Sequence, residues 1–389
     1  MVRVLCFLNV SNKDNLSTDS AYIFYNTLVK DFLNEDIDFL FASPRPLSNE
    51  NIKHIPFDFG NSKYAVRFNF NWDKIEQIIK QENPDVLLIN QIELIPNYKA
   101  LIEHLELSTI KIIGYAHYIP YFFQKNKINT DTSLNAGNIN ETIQLSFLSG
   151  ILSADTIFTH SKTSLQNIKF LLEKYNKSFN THKFIINPPP KDPLFIYNSP
   201  NGHSNRIIYN HRLYEHYGTS FLLETISNLN QIGDFEFEIF DILGNRDPKR
   251  KRLDTSVEKY RQALSKYKNV TIRVDGNNRD IYKEAFNGAL CCLAPYRKGT
   301  PWSMSCIDSM ALGIPCVAPN FDWFKEFIPN ELLYSSPKKL VEIIQKLNSD
   351  LDFWLAMSKK SYECTKKLTS FKIAKKFISE FKREKTCTN

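Results

Sequence analysis

Two short stretches carry residue types and spacings suited to chemistry on an anionic, hydroxyl-bearing ligand. In the first, Cys291-Cys292-Leu293-Ala294 reads as a buried strand, followed by a polar loop with Arg297, Lys298, Gly299, Thr300 and Trp302. A helix then starts near Ser303 and Met304 and stops at Gly313, before a second buried strand at Pro315-Cys316-Val317-Ala318. A loop running into a helix N-terminus offers free N–H groups and positive dipole character, which suit a phosphate or a sugar hydroxyl. Asp308 falls just beyond the first turn of that helix, where a carboxylate accepts hydrogen bonds from vicinal hydroxyls. The plain alternative is an ordinary strand–helix–strand crossover with a capping loop. In the second stretch, Ile207-Ile208-Tyr209-Asn210-His211-Arg212, a strand ends on polar residues and a cation. For Arg212 the alternative is a surface ion pair. A third candidate, His117, follows a strand ending at Gly114-Tyr115, with Tyr118, Tyr121, Phe122 and Phe123 close behind it. A lone histidine is as much at home as a structural residue.

Positioning these residues calls for layered α/β structure. Short apolar runs at 2–8, 38–42, 85–90, 110–115 and 156–159 alternate with helical stretches such as 21–33 and 72–81. This is the pattern of a mainly parallel sheet covered by helices. Ser17-Thr18-Asp19-Ser20 and Ser161 supply N-cap side chains. Asn187-Pro188-Pro189-Pro190 can continue neither a helix nor a central strand, so the linker falls here. The alternation restarts at 206–209, 236–243, 270–274, 289–294 and 315–318, and a last helix runs from about 371 to 383. The expected organisation is a Rossmann-like domain at 1–190, a second at 191–365, and a basic helix at 366–389 able to cross back to the first.

Composition narrows the class. With 42% hydrophobic and 13% aromatic residues, the 389-residue chain can bury substantial cores, which excludes large-scale disorder. No run approaches the ~20 apolar residues of a membrane span, so no integral membrane association is expected. The first residues read as a strand, not as a cleaved leader. Seven cysteines without a C-x-x-C pair point to reduced thiols and a cytoplasmic location, not to disulfides or zinc. The net charge of +7 resides in 359–385, where ten Lys or Arg face three Glu. Such a segment can touch nucleic acid or an anionic membrane surface, or be a solvated helix face. Asp36-Ile37-Asp38 and Asp350-Leu351-Asp352 have a metal-holding spacing, but they open a strand and a helix and read as turn and capping residues. There is no P-loop, no G-x-G-x-x-G and no zinc spacing, and no metal is expected.

Segments 206–218 and 291–326 resemble the retaining family 4 glycosyltransferases. The resemblance implies an α/β, GT-B architecture of two Rossmann-like domains facing across a cleft. In that family a glutamate pair, E-x(7)-E, spans a glycine-rich loop and the next helix. Thr300 and Asp308 keep that spacing, and Asp308-Ser309-Met310-Ala311-Leu312-Gly313-Ile314-Pro315 fits the run that follows. The resemblance implies that Asp308 holds the nucleotide ribose and that the backbone around Trp302, Ser303 and Met304 faces the sugar and diphosphate. It also implies that Arg212 neutralises the leaving diphosphate. The chain departs at Thr300, where the family has an acid, and at Tyr217, where it has a lysine. Arg297, Lys298 or Arg246 are the available replacements for that second cation. Gly244 ends a strand where the family places a glycine, and His117 sits where related enzymes carry a cleft-facing histidine. Residues 9–20 replace the family's N-terminal glycine-rich loop. His211-Arg212 with Glu215-His216 is also remotely similar to the enzymes that mannosylate queuosine in transfer RNA.

The reaction so implied moves a hexose or pentose from a UDP- or GDP-sugar to an acceptor hydroxyl, with retention and with no cofactor. His117 and Arg212 are the expected catalytic residues. Donor binding falls to Arg212, Gly244, Arg297, Lys298, Gly299, Thr300, Trp302, Ser303, Met304 and Asp308, and acceptor binding to His117, Tyr118 and Tyr121. The basic segments and the aromatic residues favour a hydroxylated base of DNA or transfer RNA as acceptor, since stacking and phosphate neutralisation need those types. A surface polysaccharide or lipid-linked acceptor, with the basic helix resting peripherally on a membrane, is the alternative. A catalytically inactive binding protein of the same fold is another.

Overall fold

Runs such as Val86–Ile89, apolar and buried at every position, have no polar face to give to water and so become strands covered on both sides. In a computed structural model, residues 1–10, 16, 19–60, 62–124, 127–130, 139–240, 255–274, 278–294 and 299–384 are described. They form two compact units: Met1–Pro190 together with Leu368–Asn389, and Lys191–Lys367.

The first unit contains β1 (Val2–Phe7), β2 (Ile37–Ser43), β3 (Lys53–Pro56), β4 (Val86–Ile89), β5 (Lys111–Tyr115), the hairpin β6 (Tyr121–Gln124) and β7 (Lys127–Thr130), β8 (Thr156–Thr159) and β9 (Phe184–Ile186). Apart from the hairpin these make one parallel sheet of order β3-β2-β1-β4-β5-β8-β9. Its helices are α1 (Ser20–Leu33), α2 (Lys63–Phe68), α3 (Trp72–Glu82), α4 (Ile95–His104), α5 (Asn140–Ser153) and α6 (Lys162–Lys174). The second unit carries β10 (Arg206–Tyr209), β11 (Glu236–Phe240), β12 (Val270–Arg273), β13 (Cys291–Leu293), β14 (Cys316–Pro319) and β15 (Leu333–Tyr334), parallel in the order β12-β11-β10-β13-β14-β15. Its helices are α7 (Thr219–Leu229), α8 (Ser256–Leu264), α9 (Arg279–Glu284), α10 (Met304–Ala311), α11 (Phe324–Phe327), α12 (Pro337–Ser349) and α13 (Leu351–Thr365).

This topology fixes where a ligand can sit. In each sheet the strand order runs outward in both directions from a central pair, β1 with β4 and β10 with β13. The loops leaving the carboxyl ends of such a pair diverge to opposite faces and open a crevice, which is where open α/β sheets hold ligands. The two stretches singled out above leave β10 and β13, the pair that flanks the crevice of the second unit.

The last helix, α14 (Ser370–Lys382), packs in the first unit. Its apolar stripe of Ile373, Ala374, Phe377, Ile378 and Phe381 is buried, and Phe377 stacks on Phe158 of β8 at 4.1 Å. Lys111 and Glu380 form an ion pair at 2.5 Å with side chains 5% and 3% exposed, and Thr156 Oγ1 donates to the same carboxylate. The basic residues Lys372, Lys375, Lys376 and Lys382 lie on the exposed side.

The central strands coincide with the runs read from sequence to within a few residues. The sequence reading missed β3, β9, β15 and the hairpin. These are short edge or excursion strands: Lys53-His54-Ile55-Pro56 is mixed in composition because it is largely exposed, and β9 and β15 have only three and two residues, too few to show a period. Both D-x-D segments behave as turn and cap: Asp36 has φ +62°, and Asp350 caps α13 by accepting from Phe353 N at 2.8 Å.

Candidate functional site

The site in the second unit is organised by Asn210, the residue after β10. Its Nδ2 donates to Ser305 O of α10 at 3.0 Å and to Tyr282 Oη at 2.6 Å. Its Oδ1 accepts from Cys292 Sγ of β13 at 3.0 Å. Tyr282 Oη donates in turn to Asp308 Oδ2 at 3.1 Å. One buried amide thus ties the end of β10 to the first turn of α10. Arg212, two residues on, is half-buried and forms no ion pair among the described residues, so the surface ion pair considered for it is not seen there.

The first turn of α10 has no side-chain cap. Ser303 occupies the N-cap position but makes no side-chain cap bond, because its hydroxyl pairs with Ser305 Oγ at 2.9 Å. The first-turn N–H groups therefore keep their donors, with the dipole's positive end behind them. Trp302 anchors the preceding backbone: its Nε1 donates to Met304 Sδ at 3.1 Å and its ring packs on Trp323 at 4.7 Å. Gly299 takes φ +73°, which favours glycine, and its N–H donates to Asp322 Oδ2 at 2.6 Å. Thr300 is buried at 8% exposure. The helix stops at Gly313, with φ +80°, where a Cβ would lie 2.5 Å from the Tyr197 ring.

Asp308 is 4% exposed, and burial pushes its carboxyl up to about 7 despite the opposing Arg279. Its Oδ2 faces Arg279 Nη2 at 3.6 Å as well as Tyr282. Its Oδ1 is buried without a hydrogen-bond partner. Such an orphaned acceptor costs free energy unless a donor arrives.

At the carboxyl ends of the first sheet the chemistry differs. His117 Nε2 shares a 2.7 Å hydrogen bond with Ser20 Oγ at the start of α1, and its Nδ1 is buried without a partner. The His160 ring lies 5.9 Å away, also with an unpartnered Nδ1. Burial lowers both histidines, His160 to about 3, so both are neutral near pH 7. Tyr118 is exposed, with the Arg67 guanidinium over its ring, and Arg67 pairs with buried Glu93.

The aromatic segment behind His117 corrects an expectation. Tyr121 is 2% exposed and packs against Phe147, a core residue and not a ligand-facing one. Phe123 stacks on Phe170 at 4.0 Å. The alternation of β6 turns one side of this run into the protein, a split that the composition did not reveal. Gly244, Arg246, Arg297 and Lys298 lie outside the described residues. Arg212 follows β10, while Gly299, Ser303, Met304 and Asp308 follow β13, the neighbouring strand of the same sheet, and Asn210 bonds across to Ser305. The sequence reading missed Asn210, Arg279 and Asp192. Asn210 stood beside a named motif, whereas the Arg279–Asp192 pair joins residues 87 apart and carries no local signal.

Similarity to known proteins agrees with this arrangement. The chain superposes over 98% of its length on 98% of sucrose-phosphate synthase from Thermosynechococcus elongatus, with TM-score 0.68 and 15% identity. It also superposes over 98% of its length on 99% of Anabaena HepE in complex with UDP, with TM-score 0.70 and 10% identity. The fold is GT-B. Residues 204–350 of this GT-B chain match the family described as "Glycosyl transferases group 1". A further GT-B neighbour, lipopolysaccharide outer core galactosyltransferase WaaB, aligns with TM-score 0.61 and 12% identity over 97% of this chain and 98% of that one. No curated protein matches the chain in sequence. Among the described residues no cluster of His, Cys, Asp or Glu is placed to hold a metal, and no helix is long and apolar enough to cross a membrane.

Proposed function

We propose that the chain transfers a sugar from a nucleoside diphosphate sugar to an acceptor hydroxyl, binding the donor at the β10–β13 strand ends. The observation that carries this reading is the Asn210 bridge. It sets Arg212, a cation without an ion pair among the described residues, two residues from the contact with an uncapped helix N-terminus. As the bond from the anomeric carbon to the diphosphate oxygen breaks, the electron pair leaves with the diphosphate. Charge grows there and needs cations or N–H donors already in place. The acceptor oxygen forms the new bond to that carbon and its proton passes to solvent or to a leaving-group oxygen. Retention of configuration and a UDP- or GDP-linked donor rest on the family 4 resemblance, and the UDP-bound neighbour supports UDP first.

On the acceptor side we assign His117, as a neutral imidazole, and the exposed Tyr118. The acceptor we favour is a saccharide hydroxyl. A nucleic-acid base would need free aromatic faces, and Tyr121 and Phe123 are packed inward.

The test is direct: purified protein is offered UDP- and GDP-sugars, with release of the free nucleotide and thermal shift as readouts. Stabilisation by one nucleotide class, with turnover on adding an oligosaccharide acceptor, is expected. Nucleotide binding without any turnover would leave a binding protein of this fold. Absence of binding by every nucleotide would remove the assignment.

A further inference from the structure

Arg279, at the start of α9, is held by carboxylates and aromatic rings together. Its Nε and Nη2 both donate to Asp192 Oδ2, at 3.1 and 2.7 Å. Its Nη2 also faces Asp308 Oδ2 at 3.6 Å. Its guanidinium carbon lies 5.0 Å from the Phe195 ring centre and 4.9 Å from that of Tyr282, both buried rings. Carboxylate and rings together fix the plane of the guanidinium. Yet the side chain remains 40% exposed, and Nη1 makes no hydrogen bond among the described residues. Beside it lies the buried, unpartnered Oδ1 of Asp308.

Charge decides what this group can recognise. One arginine between two carboxylates has no net positive charge to offer, so the trio does not draw a diphosphate. Arg212, unpaired among the described residues, does. A fixed donor edge beside an orphaned acceptor oxygen suits neutral groups that both accept and donate, such as ribose hydroxyls and base carbonyls.

We propose that Arg279, oriented by Asp192, recognises the nucleoside half of the donor, while Arg212 serves only the diphosphate half. This division of labour rests on the donor-site reading above. It makes Arg279 a nucleoside-contacting residue and Asp192 a positioning residue.

The experiment compares uridine, UDP and inorganic diphosphate as ligands, with guanosine and GDP in parallel, by ligand-observed NMR and calorimetry. Arg279→Lys keeps the charge between the two carboxylates but removes the planar fork. It is expected to weaken nucleoside and nucleoside diphosphate by the same factor, about tenfold, and to leave inorganic diphosphate unchanged. Asp192→Asn should reproduce part of this loss. Arg212→Ala should do the reverse, weakening UDP and diphosphate while sparing uridine. Unchanged nucleoside binding in Arg279→Lys, or an equal loss of inorganic diphosphate, overturns the division. Failure of the unaltered protein to bind either nucleoside diphosphate would instead defeat the donor-site reading itself. Melting curves of each variant separate lost contacts from lost fold.

Discussion

The carboxyl ends of the two sheets are alike in topology and unlike in electrostatics. Around Asp308 the second unit gathers two carboxylates and an arginine, and Arg212, without an ion pair among the described residues, lies two residues from the Asn210 bridge. Around His117, itself half-buried, the first unit gathers the buried His160, a serine and aromatic rings, both imidazoles being neutral near pH 7. Because burial penalises the charged form of every group, it acts in opposite directions on the two sites. It raises the acid Asp308 and lowers the bases His117 and His160. Burial thus leaves acids and arginines at one set of strand ends and neutral imidazoles at the other.

The sharpest way to break this contrast is to remove its charged side. Arg212→Ala should lower sugar transfer about a hundredfold, whereas His117→Ala should lower it about tenfold and leave donor affinity intact. Equal losses of donor affinity in the two variants would erase the distinction. A smaller effect concerns Asp308, which accepts hydroxyl donors better when ionised. Donor affinity should therefore rise as pH passes upward through about 7, against a background set by Arg279, Asp192 and Tyr282. Asp308→Asn should bind donor about tenfold more weakly at pH 8 and show a flat profile. A profile unchanged in that variant assigns the titration to another group.

The smallest effect is on local stability, and its sign differs between the sites. Asp308 is raised above its unfolded value near 3.8, so its contribution is full below that value and fades as pH rises through about 7. The histidines are lowered below 6.5, so their contribution is present above 6.5 and fades as pH falls through their folded values, that of His160 lying at about 3. Each proton sets a slope of at most about 1.4 kcal/mol per pH unit. Between pH 7 and 5, amide protection relative to the intrinsic exchange rate at each pH should fall around His160 and rise around Asp308. Parallel changes at both sites would refute the opposition.

How much of this was legible beforehand depended on sequence distance. The loop leading into α10 was readable because Gly299, Ser303, Asp308 and Gly313 act through local geometry: a left-handed turn, a helix start, a position just past its first turn and a helix stop. Tyr121 was misjudged because a short strand's inward and outward faces cannot be told from a run of aromatics. Edge strands such as Lys53–Pro56 escaped because half-exposed segments lack an apolar pattern.

What the sequence alone determined was the repeated α/β alternation, the break at the triple proline and the helix start that carries Asp308. These follow from periodicity and backbone stereochemistry, which act over a few residues. What only tertiary structure decided was which side chains meet. Asn210 joins Ser305 and Tyr282, Asp192 orients Arg279, and His117 reaches Ser20. Each of these contacts spans 72 or more residues. Strand order brings such groups together, and burial then sets their protonation.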